Sequence, residues 1–134
     1  LGVADVKREG NDVTIVSFGK IIKEAYTAAD ELAKEGISCE IIDLRTVRPL
    51  DKEAILKSVK KTNRLIVLEE AWPFGNVATE ITYIVQSEAF DYLDAPIVRI
   101  NTADTPAPYS PVLLAEWLPN SKEVIKAVKK VLYK

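Results

Sequence analysis

Histidine and methionine are both absent from this chain of 134 residues, and cysteine occurs once. Without histidine the commonest general base and metal ligand is missing. No nucleophile–base constellation can then be built, short of unusual lysine arrangements. The single Cys39 has no disulfide partner and sits in an apolar run, where a free cysteine is a small buried hydrophobe rather than a reactive thiol. No apolar run approaches the ~20 residues needed to span a membrane, and no signal-peptide pattern opens the chain. Positive charge is not in excess: the formal net charge is −2 and the pI is near 5.3, which excludes the basic stripe of a nucleic-acid footprint. Since translated chains start with methionine, Leu1 is expected to be either a processed end or a cut inside a longer chain. Glycine is scarce where phosphate loops need it. The turn after the first long apolar run is Ser17-Phe18-Gly19, with one glycine, so neither G-x-G-x-x-G nor G-x-x-x-x-G-K-[ST] is present.

What remains is ordinary globular composition, 48% hydrophobic and 28% charged, in a length that suits one domain. Its centre is the stretch Ile41 to Asp51, IIDLRTVRPLD. An apolar run (Cys39, Ile41, Ile42, Leu44) stops in two arginines, a proline and an aspartate. Val47-Arg48-Pro49 is expected to be extended, because proline disfavours helix at the residue before it. Asp51 can accept from the first free amides of a helix, and Glu53 places negative charge in its first turn.

Around that centre the pattern alternates. Ala4 to Glu9 reads as a short strand, followed by a turn at Gly10-Asn11-Asp12. Val13 to Phe18 is a β-branched strand. The spacing of Ile21, Ala25, Ala28 and Leu32 predicts a helix from about Lys20 to Glu35, closed by Gly36 at C′. The strand Cys39–Leu44 and a helix to about Lys61, with Ile55, Leu56 and Val59 inward, come next. Leu65–Leu68 is a strand ending in Glu69 and Glu70. Asn76 then caps a helix with Val77, Ile81, Ile84 and Val85 inward, and Ile97–Ile100 is the last strand. Pro106, Pro108 and Pro111 hold NTADTPAPYSP extended. Asn120 and Glu123 form a capping-box-like start to a helix with Val124, Val128 and Val131 on one face. Strands alternating with amphipathic helices make one three-layer α/β/α domain around a mainly parallel sheet, with right-handed crossovers.

In such sheets ligands bind at the carboxyl ends of the strands. Glu69 and Glu70 are adjacent, so in a strand they face opposite sides and cannot act as one acid pair. They solvate a strand end or cap a nearby helix; alternatively Asp43, Glu69 and Asp104 meet as an acidic pocket of the receiver type. Arg45 and Arg48 either grip an anion or, the preferred reading, pair with carboxylates across an interface. The lysines of the second and last helices form solvated faces. Trp72 and Phe74 lie in a loop where polar residues are expected, which marks a binding surface, unless Trp72 folds back over the helix that follows.

Three stretches carry a family likeness: IIDLRTVRPLD at 41–51, LIVLEEAWPFGNVATEI at 65–81 and DAPIVRINTADTPAPYSPVLLAEWLPN at 94–120. They resemble the carboxy-terminal, transketolase-like domain of the beta subunit of thiamine-diphosphate 2-oxo acid dehydrogenases, in their decarboxylating component. The D-L-R-T-x-x-P-x-D pattern is shared with transketolases and deoxyxylulose-phosphate synthases. TADTPAPYSP followed by LPN is more similar to pyruvate dehydrogenase beta chains than to branched-chain ones. Many relatives have paired glycines after the glutamates, where this chain has Phe74-Gly75-Asn76.

The resemblance implies one domain over 1–134, a fragment of a longer beta subunit, with a five-stranded mixed sheet whose first strand, near Val3–Lys7, is antiparallel. It implies that thiamine diphosphate and magnesium belong to the parent enzyme and are held outside this domain. That parent would decarboxylate pyruvate and reductively acetylate lipoyl groups. This domain would have no catalytic, cofactor or metal residues of its own. Its partners would be the alpha subunit, a second beta subunit and the dihydrolipoyl acetyltransferase core, with no nucleic acid and no membrane. Arg45, Arg48, Glu69, Glu70, Trp72 and Phe74 are the interface candidates. The compartment would be the cytoplasm in a bacterium, the preferred setting, or the mitochondrial matrix in a eukaryote. The rivals are the same domain in a branched-chain or acetoin dehydrogenase, and a free-standing receiver- or flavodoxin-like domain for a small ligand.

Overall fold

The computed structural model describes residues 1–134. Five strands form one sheet: β1 (Asp5–Arg8), β2 (Val13–Ser17), β3 (Cys39–Asp43), β4 (Leu65–Leu68) and β5 (Val98–Ile100). Their spatial order is β1-β3-β2-β4-β5. β1 pairs antiparallel with β3, with a register irregularity between Val6 and Arg8. The β2–β3, β2–β4 and β4–β5 pairs are parallel. This is the expected mixed sheet with its antiparallel first strand. The three central strands are almost continuously buried because both faces are covered.

Helices α1 (Ile22–Ala33) and α5 (Ser121–Val131) cover one face; α2 (Lys52–Thr62) and α3 (Val77–Ala89) cover the other. Ile15, Ile41, Ile66 and Leu68 point to the first layer, and Val16, Ile42, Leu65 and Val67 to the second. A strand's alternation thus divides its apolar residues between two cores. Helix ends follow the sequence closely. Asp51 Oδ1 accepts from Ala54 N at 3.2 Å, Asn76 Oδ1 from Thr79 N at 3.2 Å and Asn120 Oδ1 from Glu123 N at 3.0 Å. Glu123 makes no return bond to Asn120, so the capping box is half formed. Gly36, at φ +79°, closes α1 in a Schellman arrangement. Its N–H donates to Ala33 O at 3.1 Å, and Ile37 N donates to Leu32 O at 3.0 Å.

Two local expectations are corrected. Val47-Arg48-Pro49 is a bend rather than an extended crossing and contains a cis Arg48–Pro49 bond, a geometry that the tertiary amide of proline makes accessible. Pro111 does not prolong an extended segment: it starts a short helix, α4 (Pro111–Trp117), because the first helical position needs no N–H. None of the residues of α4 is buried.

The amino ends of β2 and β3 are closed by a polar network under α2. Glu40 is only 4% exposed. Its Oε2 accepts from Ser58 Oγ at 2.6 Å, and its Oε1 accepts from Gly10 N at 3.2 Å and from Lys61 Nζ. Thr14 Oγ1 lies 2.6 Å from Ser58 Oγ and 2.7 Å from Thr62 Oγ1. Since Ser58 gives its proton to Glu40, Thr14 donates to Ser58, and the single Thr62 hydroxyl proton is shared between Thr14 Oγ1 and Arg64 O, 3.0 Å away. The hydroxyls therefore run as a directed chain toward the carboxylate.

Candidate partner-docking face at the carboxyl end of the sheet

Sheet order reverses between β2 and β4, so their carboxyl ends make the switch-point crevice where ligands of such folds bind. Here Ser17 Oγ donates to Leu68 O at 2.7 Å and ties the two ends together. The cavity outside them, of about 280 Å³, is lined by Lys20, Lys23, Glu24, Glu70 and Leu118. Glu70 is exposed on its rim, and no glycine-rich cradle is present.

One residue earlier the chain turns inward. Glu69 is 0% exposed, and both its oxygens are used within the chain. Oε2 accepts from Ala78 N at 3.2 Å, at the start of α3, and Oε1 from Asn101 Nδ2 at 2.7 Å, beyond β5. Burial pushes the carboxyl above its ordinary range, against these two hydrogen bonds and the more distant Arg99. Of the two roles open to it in the sequence, Glu69 takes the helix cap. It is accordingly withdrawn from the interface candidates, because a carboxylate with no exposed surface is out of a partner's reach.

Above Glu69 sits the loop 71–76. Trp72 Nε1 donates to Thr105 O at 2.8 Å, and Trp117 Nε1 donates to the same carbonyl at 2.8 Å. Asn76 Nδ2 donates to Trp72 O, and Arg99 Nη1 donates to Pro73 O at 2.6 Å and to Thr79 Oγ1 at 3.1 Å. Ala103 N donates to Trp117 O at 3.1 Å. Two loops distant in sequence and the end of α4 are thus sewn into one crown. Trp72 is neither fully folded back nor free: its indole is anchored and it is 50% exposed. Phe74, by contrast, is 90% exposed. Tyr109, Val112 and Leu113 add more open apolar surface, next to a groove of about 330 Å³ lined by Pro106, Pro108, Leu113 and Trp117. Exposed apolar surface gathered in this way makes the crown the candidate interaction site. The role of α4 in it escaped the sequence reading; the Ser110-Pro111 start was its only signal.

On the far side of the same end, Arg45 and Arg48 occupy the β3–α2 loop, both exposed. Arg45 has φ +62°, and its N–H donates to Asp43 Oδ1 at 3.0 Å. All seven ion pairs of the chain involve other residues, so neither guanidinium has a carboxylate partner here. Gly2 N donates to Thr46 Oγ1 at 3.1 Å and Ala4 N to Asp51 Oδ2 at 2.9 Å, which lays the amino-terminal residues along this loop.

The acidic pocket left open in the sequence does not form. Asp43 is turned to the Arg45 amide, Glu69 is enclosed, and no three acidic or cysteine side chains converge on a metal-sized point. These three carboxylates therefore do not converge to hold a magnesium ion between them. Cys39 is buried, and burial raises its thiol to about 11, so it is inert at neutral pH. No helix is long and apolar enough to cross a membrane.

A family profile described as "Transketolase, C-terminal domain" matches residues 2–124. The chain belongs to this family. As a transketolase C-terminal domain it is 52% identical to the pyruvate dehydrogenase E1 component subunit beta of Rickettsia conorii over 132 residues, 98% of this chain and 40% of that one. It is 46% identical to the acetoin:2,6-dichlorophenolindophenol oxidoreductase subunit beta of Bacillus subtilis, across 98% of this chain and 39% of the relative. A solved structure described as "Split gene transketolase, inactive beta4 tetramer" superposes with a TM-score of 0.85 at 28% identity, over 98% of this chain and 42% of that one. The chain therefore spans about 40% of the length of these relatives.

Proposed function

We propose that this chain is the carboxyl-terminal domain of the beta subunit of a 2-oxo acid dehydrogenase decarboxylating component, of the pyruvate type, and that its work is assembly. One observation carries the assembly reading: α4 buries none of its residues, while Phe74, Tyr109, Val112 and Leu113 stand in solvent around it. Held at its end by the Trp117 bonds, a helix of that composition leaves apolar surface for something else to cover. Arg45, Arg48 and Glu70 add unpaired charge at the same end of the sheet. The alpha subunit, a second beta subunit and the acetyltransferase core are the partners in this reading. The cofactor is bound by other parts of the parent enzyme, which decarboxylates pyruvate and passes the acetyl group to a lipoyl carrier. The names of the more similar relatives support the pyruvate assignment.

The test is Phe74→Ala and Trp72→Ala in the complete beta chain, with assembly onto the alpha subunit followed by sedimentation. Truncating a hot-spot aromatic costs at least about 2 kcal/mol of association, roughly thirtyfold in affinity. If both variants assemble like the parent and lose only thermal stability, the crown is core and the docking face lies elsewhere. Arg48→Ala should weaken assembly and leave the melting temperature of the unassembled chain nearly unchanged. An acetoin-cleaving parent is the second reading, favoured by the Bacillus subtilis relative; turnover of acetoin in preference to pyruvate by the assembled enzyme would select it.

A further inference from the structure

At the opposite edge from β1 the sheet stops at β5, whose outer side pairs with no strand. Ile100 O accepts from Glu69 N at 3.0 Å, and Thr102 N donates to Ala71 O at 3.0 Å. Successive residues of a strand turn their polar groups to opposite sides. The N–H and C=O groups of Arg99 and Asn101 therefore face outward, away from β4. Beside them runs a cleft of about 430 Å³, walled by β5 on one side and by Lys126, Lys130 and Glu123 of α5 on another, with Pro73 at its end.

Charge in this cleft is one-sided. Arg99 is exposed and bonded only to neutral groups, Pro73 O and Thr79 Oγ1. Lys126 and Lys130 are exposed and outside all the ion pairs. Glu123 is the one acid on the wall. The cations also divide between faces: the Arg99 side chain lies over α3, where Thr79 is, and the two lysines lie over α5. Edge strands are commonly guarded by charged side chains on the strand itself; the one cation of β5, Arg99, is drawn aside to Pro73 O and Thr79 Oγ1. Here the lysines belong to a helix and leave the strand's backbone open.

We infer that the outer edge of β5 is a docking site for an extended acidic segment of a partner protein, which adds to the sheet as a sixth strand. Main-chain bonds to Arg99 and Asn101 hold the segment. Its side chains alternate between faces, so carboxylates on one face meet Arg99 and those on the other meet Lys126 and Lys130. This surface adjoins the aromatic crown at Arg99 and Pro73 but does not depend on the function proposed for the crown.

The probe is a short alternating glutamate–threonine peptide, labelled for fluorescence anisotropy, titrated onto the complete chain. Saturable binding is expected, with hydrogen exchange of the Arg99 and Asn101 amides slowed in the complex. Exchange elsewhere on the sheet, including β1, should not change. Lys126→Glu with Lys130→Glu should weaken binding by roughly tenfold, and circular dichroism checks that the variant is folded. The lysine–threonine peptide should not bind. The inference is overturned if the acidic peptide fails to bind or the two amides exchange as before. Equal affinity of the charge-reversed variant overturns it too. Binding to phosphatidylserine vesicles without binding to the peptide would make this a membrane-facing patch and would also overturn it.

Discussion

Two glutamates are buried in this sheet, one at each end, and they are held in opposite ways. At the amino end, burial alone would raise Glu40, but hydrogen bonds from Lys61, Ser58 and Gly10 N outweigh it and hold the carboxyl below its ordinary range. At the carboxyl end, Glu69 receives only a helix amide and a side-chain amide, and burial wins. A cation within bonding distance decides the sign, because neutral donors offset desolvation only in part. The end with the ion pair is closed and serves the fold. The other end is roofed by two loops and a helix that buries nothing, which is where a partner is proposed to bind.

The sharpest way to break this contrast is at Gly10, whose amide feeds Glu40. A Cβ there would lie 2.3 Å from the carbonyl carbon of Cys39 and 2.6 Å from Glu40 N, both backbone atoms that cannot step aside. Gly10→Ala should destabilise the chain by at least about 4 kcal/mol, read by guanidinium melts. A cost below about 1 kcal/mol would mean that the Gly10–Glu40 contact is loose.

Glu40→Gln should come next, at about 2 kcal/mol at neutral pH, since it replaces charge-assisted hydrogen bonds by weaker ones and strands Lys61. Its pH dependence has a fixed sign. The folded carboxyl titrates below the ordinary value of 4.5, so its stabilisation is complete above that pH and is lost as pH falls toward the folded value. The gap between parent and variant should close on acidification.

Glu69→Gln should cost less, within about 1 kcal/mol at neutral pH, because it removes a charge that burial disfavours. The pH trend should run the other way. A folded value above 4.5 means that the native state binds more protons, so the parent loses stability as pH rises through that value. Melts of both variants across the acid range should therefore give opposite slopes. Parallel slopes would undo the comparison. Smallest is Trp72→Phe, which deletes one of the two indole bonds to Thr105 O and should cost about 0.5 kcal/mol, with the amino-end network unaffected.

Most of the architecture was legible because it is local. The run Leu65–Leu68, the Asp51, Asn76 and Asn120 caps, the turn at Gly36 and the inward stripe Val124, Val128 and Val131 all follow from spacing within one element. What was missed depends on distance along the chain. Glu69 meets Asn101, 32 residues away, and Glu40 meets Lys61, 21 residues away. Nothing in a strand's own pattern announces such a partner, so Glu40 passed unremarked inside an apolar run. At the crown the aromatics were noticed, but Trp72's anchoring to Thr105 was not. Pro111 reads as an interruption in the sequence because helix-breaking and helix-starting prolines look alike until their neighbours are placed.

The chain has two tryptophans, and both indoles donate to one carbonyl, that of Thr105. Its intrinsic emission is therefore a point probe rather than an average. Tryptophan fluorescence, excited at the long-wavelength edge of the ultraviolet band where the five tyrosines do not absorb, watches the crown alone, while circular dichroism watches every helix. A docking partner would change the first signal and leave the second still. Loosening of the crown ahead of global melting would appear as two transitions that do not coincide, a built-in test of whether this end opens on its own.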